Sequence, residues 1–280
     1  MPPRPIPPSR ARAAWLLLAG VLGCAAPVAP APPPTWGQWI WTAEDASIYA
    51  GIRAKHPAVQ AGVLVAELTY AAPVGDTPGG VTTALRMSPR VVDDPATAVV
   101  IRLDDSVHGL FAGRTEAEVA GALGERLARL VTLLHDHGGA PRELQLDYDV
   151  PVRLLPAWAA VLGRLTGPGG ALHGETVWVT SILAHVRDPA YGTLLRGKVA
   201  GHLLQVFDTG ESPEDSATVA RLAANADLPY RLGIAAFERG REGVASTRHR
   251  DWFAQVGTAC VAPRCEAVWV FPGGQPWELE

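Results

Sequence analysis

From Trp36 onward, short apolar runs recur along the chain, and helix-like periods or Gly/Pro-rich breaks separate them. The runs are WGQWIW (36–41), GVLVAELTY (62–70), TAVVIRLD (97–104), ELQLDYD (143–149), TVWVTSIL (176–183), HLLQVF (202–207), YRLGIAAF (230–237) and EAVWVF (266–271). Most are near-continuous rather than alternating and rich in β-branched residues, the pattern of parallel strands covered on both faces.

The intervening segments carry helix signals. Thr115-x-x-Glu118 is a capping-box pattern, followed by Val119, Leu123, Leu127, Leu130 and Leu134 at helical spacing, with Gly138-Gly139 as the stop. Pro151 can open a second helix whose apolar face is Leu154, Leu155, Trp158, Leu162 and Leu165. Ser212-Pro213-Glu214-Asp215 reads as the start of a third, running toward Asn225. Fainter patterns cover Ala46–Lys55, Pro189–Val199 and Ser246–Val256. The segment Ala71–Pro95 has Gly and Pro clusters around VTTALRM and predicts an irregular loop or hairpin.

Eight strands alternating with helices over about 245 residues match a (β/α)8 barrel. It would be irregular around the second βα unit, and the last run ends too near the C-terminus for a full final helix. An open doubly wound sheet is the other option. It would want a Gly-rich phosphate loop after the first strand, and WGQWIWTAED has none.

Composition narrows the function classes. The 280-residue chain is 48% hydrophobic and 19% charged, with a formal charge of −4, so it offers no electrostatic footprint for nucleic acid. Three cysteines fit no zinc motif. His135-Asp136-His137 falls at a helix end, where histidine is expected without a metal, so neither a metal nor a cofactor is predicted.

Residues 1–23 combine an Arg-bearing, acid-free start with the apolar stretch Ala13–Leu22, too short for a membrane span and typical of a signal peptide. Val21-Leu22-Gly23-Cys24 resembles a bacterial lipobox, which predicts a lipidated Cys24 at the start of the mature chain. Residues 24–35 then form a Pro-rich linker, and 36–280 one barrel domain. Removing the three arginines of the leader takes the formal charge from −4 to −7. The expected location is the periplasmic side of a bacterial membrane, anchored by lipid, or the medium. In such an oxidising compartment Cys260 and Cys265 can pair as a disulfide.

Chemistry is expected at the C-terminal strand ends of a barrel. Polar groups inside apolar strands are costly unless paired or facing a wet pocket. Glu67, Arg102, Asp104, Asp147, Asp149, Thr180 and Gln205 all interrupt their runs near the ends. Gln145, Asp147 and Asp149 share one strand face, and carboxylates at i and i+2 lie roughly 6–7 Å apart, close enough for one to raise the other's pKa. Asp147, Asp149 and Glu67 are therefore the catalytic candidates. Trp41, Arg102, Asp104, Thr180, Gln205 and His185 are the substrate-contacting ones, with Trp39 and Trp41 able to stack on a sugar ring. Structural Arg–Asp–Glu networks inside barrels are the competing explanation.

Over Trp39–Phe271 the chain resembles an uncharacterised bacterial family of glycosidase-type barrels, DUF3142. The matching residues are Ile40-Trp41, Glu67, Arg102-Leu103-Asp104, Asp147, Asp149, Arg153-Leu154, Trp158, Thr180 and Gln205-Val206. His185 falls at or near that family's aromatic after the fifth strand. The family's histidine after L-Q-V is Phe207 here, and its closing W-F-R-L-P is replaced by Trp269-Val270-Phe271-Pro272. The fourth strand end also looks like the D-x-D-x-E of family 18 glycoside hydrolases, whose final Glu donates the proton. That position is Pro151, so an acid must come from elsewhere, with Glu67 the first candidate. The resemblance implies an exported protein that binds carbohydrate and hydrolyses a glycosidic bond. A non-catalytic glycan-binding or structural envelope lipoprotein is the alternative.

Overall fold

In the computed structural model, the described residues are 34–76, 78–88, 97–137, 141–206, 216–237, 253–254, 256, 259–260 and 264–279. Nine strands form one sheet: β1 Thr35–Ile40, β2 Gln60–Ala71, β3 Gly80–Leu85, β4 Ala98–Leu103, β5 Glu143–Asp147, β6 Val177–Ile182, β7 Gly201–Gln205, β8 Tyr230–Ala235 and β9 Cys265–Phe271. Eight of them are parallel and run in the order β1-β2-β4-β5-β6-β7-β8-β9. The β1–β2 and β1–β9 pairings close the ring. This is a TIM-type (β/α)8 barrel. The ninth, β3, folds back antiparallel on the outer half of β2 and is the hairpin inside the irregular second unit.

The helices are α1 Ala43–Lys55, α2 Glu116–Asp136, α3 Leu155–Thr166, α4 Leu183–Arg187, α5 Tyr191–Leu195 and α6 Ser216–Asn225. The predicted box opens α2: Thr115 Oγ1 accepts from the Glu118 amide, and Glu118 accepts from the Thr115 amide at 2.8 Å. Its buried face is Val119, Leu123, Leu127, Leu130 and Leu134. The helix after Pro151 begins later than its sequence suggests, because Val152–Leu154 winds as a 3₁₀ turn before α3.

The helix expected over Pro189–Val199 is shorter, α5 alone, and a separate short helix, α4, precedes it. Asp188 leaves helical geometry before Pro189, and its side chain accepts from the Ala190 amide at 2.8 Å. The chain then turns at Gly197, φ +73°. The Gly138-Gly139 stop, the Ser212–Asp215 start and most of Ser246–Val256 lie outside the described residues, as do the leader and residues 24–33.

Two apolar layers result. Val63, Val99, Ile101, Leu144, Leu146, Val179, Leu204 and Val268 face the helices, while Trp39, Leu64, Val100, Leu203, Trp269 and Phe271 fill the barrel. Gly37 and Gly62 make room for that filling, since a Cβ on either would sit 2.7 Å and 2.4 Å from the Trp269 ring. Near the N-terminal strand ends, Arg231 and Glu143, both almost fully buried, form a two-point ion pair inside the barrel. The guanidinium lies 3.7 Å from the Trp178 ring centroid.

One irregularity matters for the site. The β2–β4 register shifts between Leu64 and Ala66, so Val65 is an extra residue. Beyond it Glu67 stands opposite Arg102, and Arg102 opposite Asp147. The bulge re-aims the end of β2, a common device beside active sites.

Candidate functional site

A cavity of about 380 Å³ opens at the C-terminal strand ends. Its lining has two characters. Trp39, Trp41, Phe237 and Phe271, from β1 and from the ends of β8 and β9, make an aromatic side. Glu44 and Asp45 after β1, Arg102 and Asp105 around the end of β4, and Asp147 and Asp149 at and just past the end of β5 make a mostly acidic one. Ring centroids are 5.7 Å apart for Trp39–Trp41 and 4.0 Å for Trp39–Phe271, so the aromatic side is a packed unit rather than separate rings.

Asp147 is a buried carboxyl of the site, 5% exposed. Gln205 Nε2 donates to it at 3.3 Å. Burial pushes its pKa up from 3.8 to about 7, and the nearby Asp149 adds to this; Arg102, Thr180 and Gln205 oppose. Around neutral pH this carboxyl exchanges a proton with the cavity. Asp149 is exposed at the rim.

The backbone around them is pinned at two points, one to β6 and one to α4. Thr180 Oγ1 accepts from the Tyr148 amide at 2.9 Å, and His185 Nε2 lies 2.6 Å from Val150 O. A carbonyl only accepts, so Nε2 carries the proton and Nδ1 accepts from the Ile182 amide at 3.3 Å. Burial lowers the His185 pKa, in keeping with a neutral ring.

Several sequence-predicted residues stand elsewhere than expected. Glu67 does not line the cavity. It is ion-paired with Arg86, and its other oxygen lies 3.8 Å from Arg102 Nε. Asp104 is not a pocket residue either. Its side chain caps the 3₁₀ segment Asp105–Phe111 by accepting from the Ser106 amide at 2.9 Å, and the Ser106 hydroxyl first, then this amide, lower its pKa. His185, 1% exposed, holds backbone rather than facing the opening. Thr180 is buried behind Asp147. Arg102 lines the cavity with its guanidinium 5.2 Å from the Trp41 ring, and Gln205 and Trp41 line it too. Cys260 and Cys265 are disulfide-bonded at the start of β9, the end of that strand away from the cavity. Cys24 and Phe207 lie outside the described residues.

Asp45 was not anticipated. Its Oδ2 accepts from the Trp41 and Thr42 amides, both at 3.1 Å, and its Oδ1 from the Gly274 amide at 3.0 Å. One buried carboxylate thus caps α1 and ties the first loop to the last. The signal was legible as Thr42-x-x-Asp45, a capping box with Asp in place of Glu. Phe237 and Gly273 fit each other. Gly273 has φ +54°, and a Cβ there would lie 2.5 Å from the Phe237 ring. Nothing in the sequence marks that contact.

No family model and no curated protein matches the chain. Among solved structures it is similar to a fungal endo-β-N-acetylglucosaminidase from glycosyl hydrolase family 18, at 12% identity and TM-score 0.56, over 88% of this chain and 95% of that one. It is also similar to a candidate α-L-fucosidase from Bacteroides thetaiotaomicron, at 10% identity and TM-score 0.52, over 91% and 90%. The class is thus a TIM-type barrel of the kind these glycosidase-like structures share, and at such identities the likeness is one of fold.

Proposed function

We propose that the chain is an exported, lipid-anchored barrel that binds carbohydrate at the C-terminal mouth and hydrolyses a glycosidic bond there. The observation that carries the reading is Asp147, a buried carboxyl poised near neutrality, opening onto a cavity with aromatic rings on one side and Asp149 at its rim. A protonated Asp147 gives its proton to the glycosidic oxygen as the bond to the anomeric carbon breaks. Asp149, as carboxylate, takes the proton of the water that attacks that carbon. The acid role moves from Glu67 to Asp147, because the oxygens of Glu67 face Arg86 and Arg102. Export and anchoring rest on the leader-like residues 1–23 and on Cys24.

A second reading, glycan binding without turnover, is favoured by one observation: Pro151 occupies the position of the proton donor in the D-x-D-x-E pattern. A hydrolysis and binding screen across polysaccharides with the full chain and Asp147→Asn separates the two. Reducing ends released by the wild type, lost in the variant with binding kept, support hydrolysis. Binding by both proteins with no release supports the lectin-like reading. No binding to any glycan refutes both.

A further inference from the structure

Asp149 is an exposed residue set between two buried ones, Tyr148 and Val150. Resting on the reading of Asp149 as the carboxylate that activates water, we propose that His185 is a positioning residue. By holding the Val150 carbonyl, it fixes the backbone of Asp149 at its working distance from Asp147.

The local chain explains why a pin is needed. β5 ends at Asp147, so Tyr148, Asp149 and Val150 have left the strand. The Val150 amide donates to the Tyr148 carbonyl at 2.9 Å, which closes a γ-turn with Asp149 at its apex. On the upstream arm, the Tyr148 amide donates to Thr180 Oγ1 at 2.9 Å, and the Tyr148 ring meets Trp158 edge-on with centroids 5.1 Å apart. On the downstream arm, the Val150 amide is already used in the turn, and Pro151 has no amide to give. That leaves the Val150 carbonyl, and His185 Nε2 stands 2.6 Å from it.

His185 is held so as to deliver this donor. Its Nδ1 accepts from the Ile182 amide, which requires that nitrogen to be bare and puts the proton on Nε2. Its ring stacks on Tyr191 with centroids 5.9 Å apart, and Tyr191 meets His202 edge-on at 5.3 Å. His202 Nδ1 in turn lies 2.7 Å from Ser181 Oγ. A chain of buried rings from α4 through α5 to β7 thus fixes the plane of the imidazole.

Such a donor also satisfies a buried carbonyl, and losing any partner of that kind destabilises a fold. Stability alone therefore cannot separate positioning from burial, but the coupling between the two carboxyls can. Asp149 raises the pKa of Asp147. For carboxylates roughly 6–7 Å apart, Coulomb's law puts that effect at about half a pH unit in water and about two at an effective dielectric of 20. The effect falls as the turn loosens.

The test is NMR titration of the Asp147 carboxyl carbon in the full chain, with and without Asp149→Asn, in three backgrounds: wild type, His185→Asn and His185→Gln. Asn can offer its carbonyl to the Ile182 amide but is too short to reach Val150, whereas Gln carries an N–H to the place of Nε2. In wild type, Asp149→Asn should lower the Asp147 midpoint by about one pH unit. The lowering should shrink to less than half in His185→Asn and return nearly in full in His185→Gln. Undiminished lowering in His185→Asn overturns the inference, and so does its loss in both variants, which would make His185 a packing residue. The unaltered ring gives a second reading that needs no variant: nitrogen shifts of a neutral His185 protonated at Nε2 support the pin, and any other form overturns it. None of these measurements needs a substrate. If they come out as expected while the polysaccharide screen shows no cleavage, the hydrolytic reading falls and the pin stands as a feature of the carboxyl pair alone.

Discussion

Replacing Asp147 by Asn should stabilise the fold above neutral pH and leave it unchanged near pH 4. The carboxyl's pKa rises from 3.8 to about 7 on folding, chiefly through burial. The folded state therefore holds the proton more tightly than the unfolded chain. Stability from this group is fully present below pH ~4, is lost as pH rises toward 7, and is flat above that. At ~1.4 kcal/mol for each pH unit between the two values, the ionised group costs about 4 kcal/mol. Asn copies the protonated carboxyl and escapes that cost. In a barrel of this size, melting temperature moves by about 2–4 °C for each kcal/mol, so a rise of about 10 °C is expected at pH 8.

The assay is calorimetric melting of both proteins from pH 4 to 9, read as the difference between them. The difference is essential because His202 works in the opposite sense. Burial lowers its pKa to about 3, so its stability contribution is present above pH ~6.5 and is lost as pH falls. Both proteins share that loss, and subtraction removes it. A variant that melts lower than wild type at pH 8 would refute the reasoning. It would mean that Asp147 is ionised in the fold as the counter-charge of Arg102.

Three further outcomes follow from particular contacts. Glu143→Gln leaves the buried Arg231 guanidinium to the half-exposed Glu266, 3.7 Å away, and should cost about 3–5 kcal/mol in urea unfolding; a change under about 1 kcal/mol would show that the pair is not holding the barrel. Cys260 and Cys265 should resist thiol labelling until reductant is added, and replacing both by Ala should cost about 2 kcal/mol for so short a loop; ready labelling of the native protein speaks against the bond. Cys24→Ala should move the protein from the membrane fraction to the soluble one, and unchanged membrane association would count against the anchor.

The barrel was legible because all eight parallel strands are apolar runs, most of them followed by helix signals. Asp147 was found by alternation on the fourth run, as one of the polar set Gln145, Asp147 and Asp149 on a single face. The same alternation carried one step back reaches Glu143, and on β8 it gives Arg231 an inward position. Their pairing spans 88 residues of chain, and spacing alone cannot supply it. Alternation failed at Glu67. Plain counting groups it with Val63 and Val65, which face the helices, and only the extra residue at Val65 turns it toward Arg102. Asp104 and His185 misled for another reason. Asp104 ends an apolar run and His185 follows one, yet Asp104 is consumed by the Ser106 amide and His185 by the Val150 carbonyl and the Ile182 amide.

The bulge at Val65 also makes this corner of the barrel tolerant of a change in chain length in a way an unbroken strand is not. It is a phase shifter: residues before it keep one parity of inward and outward, and those after it keep the other. Deleting this one residue would restore an unbroken pleat while leaving composition almost untouched. It would leave Glu67 turned toward Arg102 and Leu68 out against the helices, because Ala66 already follows Leu64 in register with β4. The same loss from an unbroken strand would move every side chain beyond it to the opposite face. Length variation among relatives of this chain should therefore gather in the loops and at this one point of β2, and spare the unbroken strands.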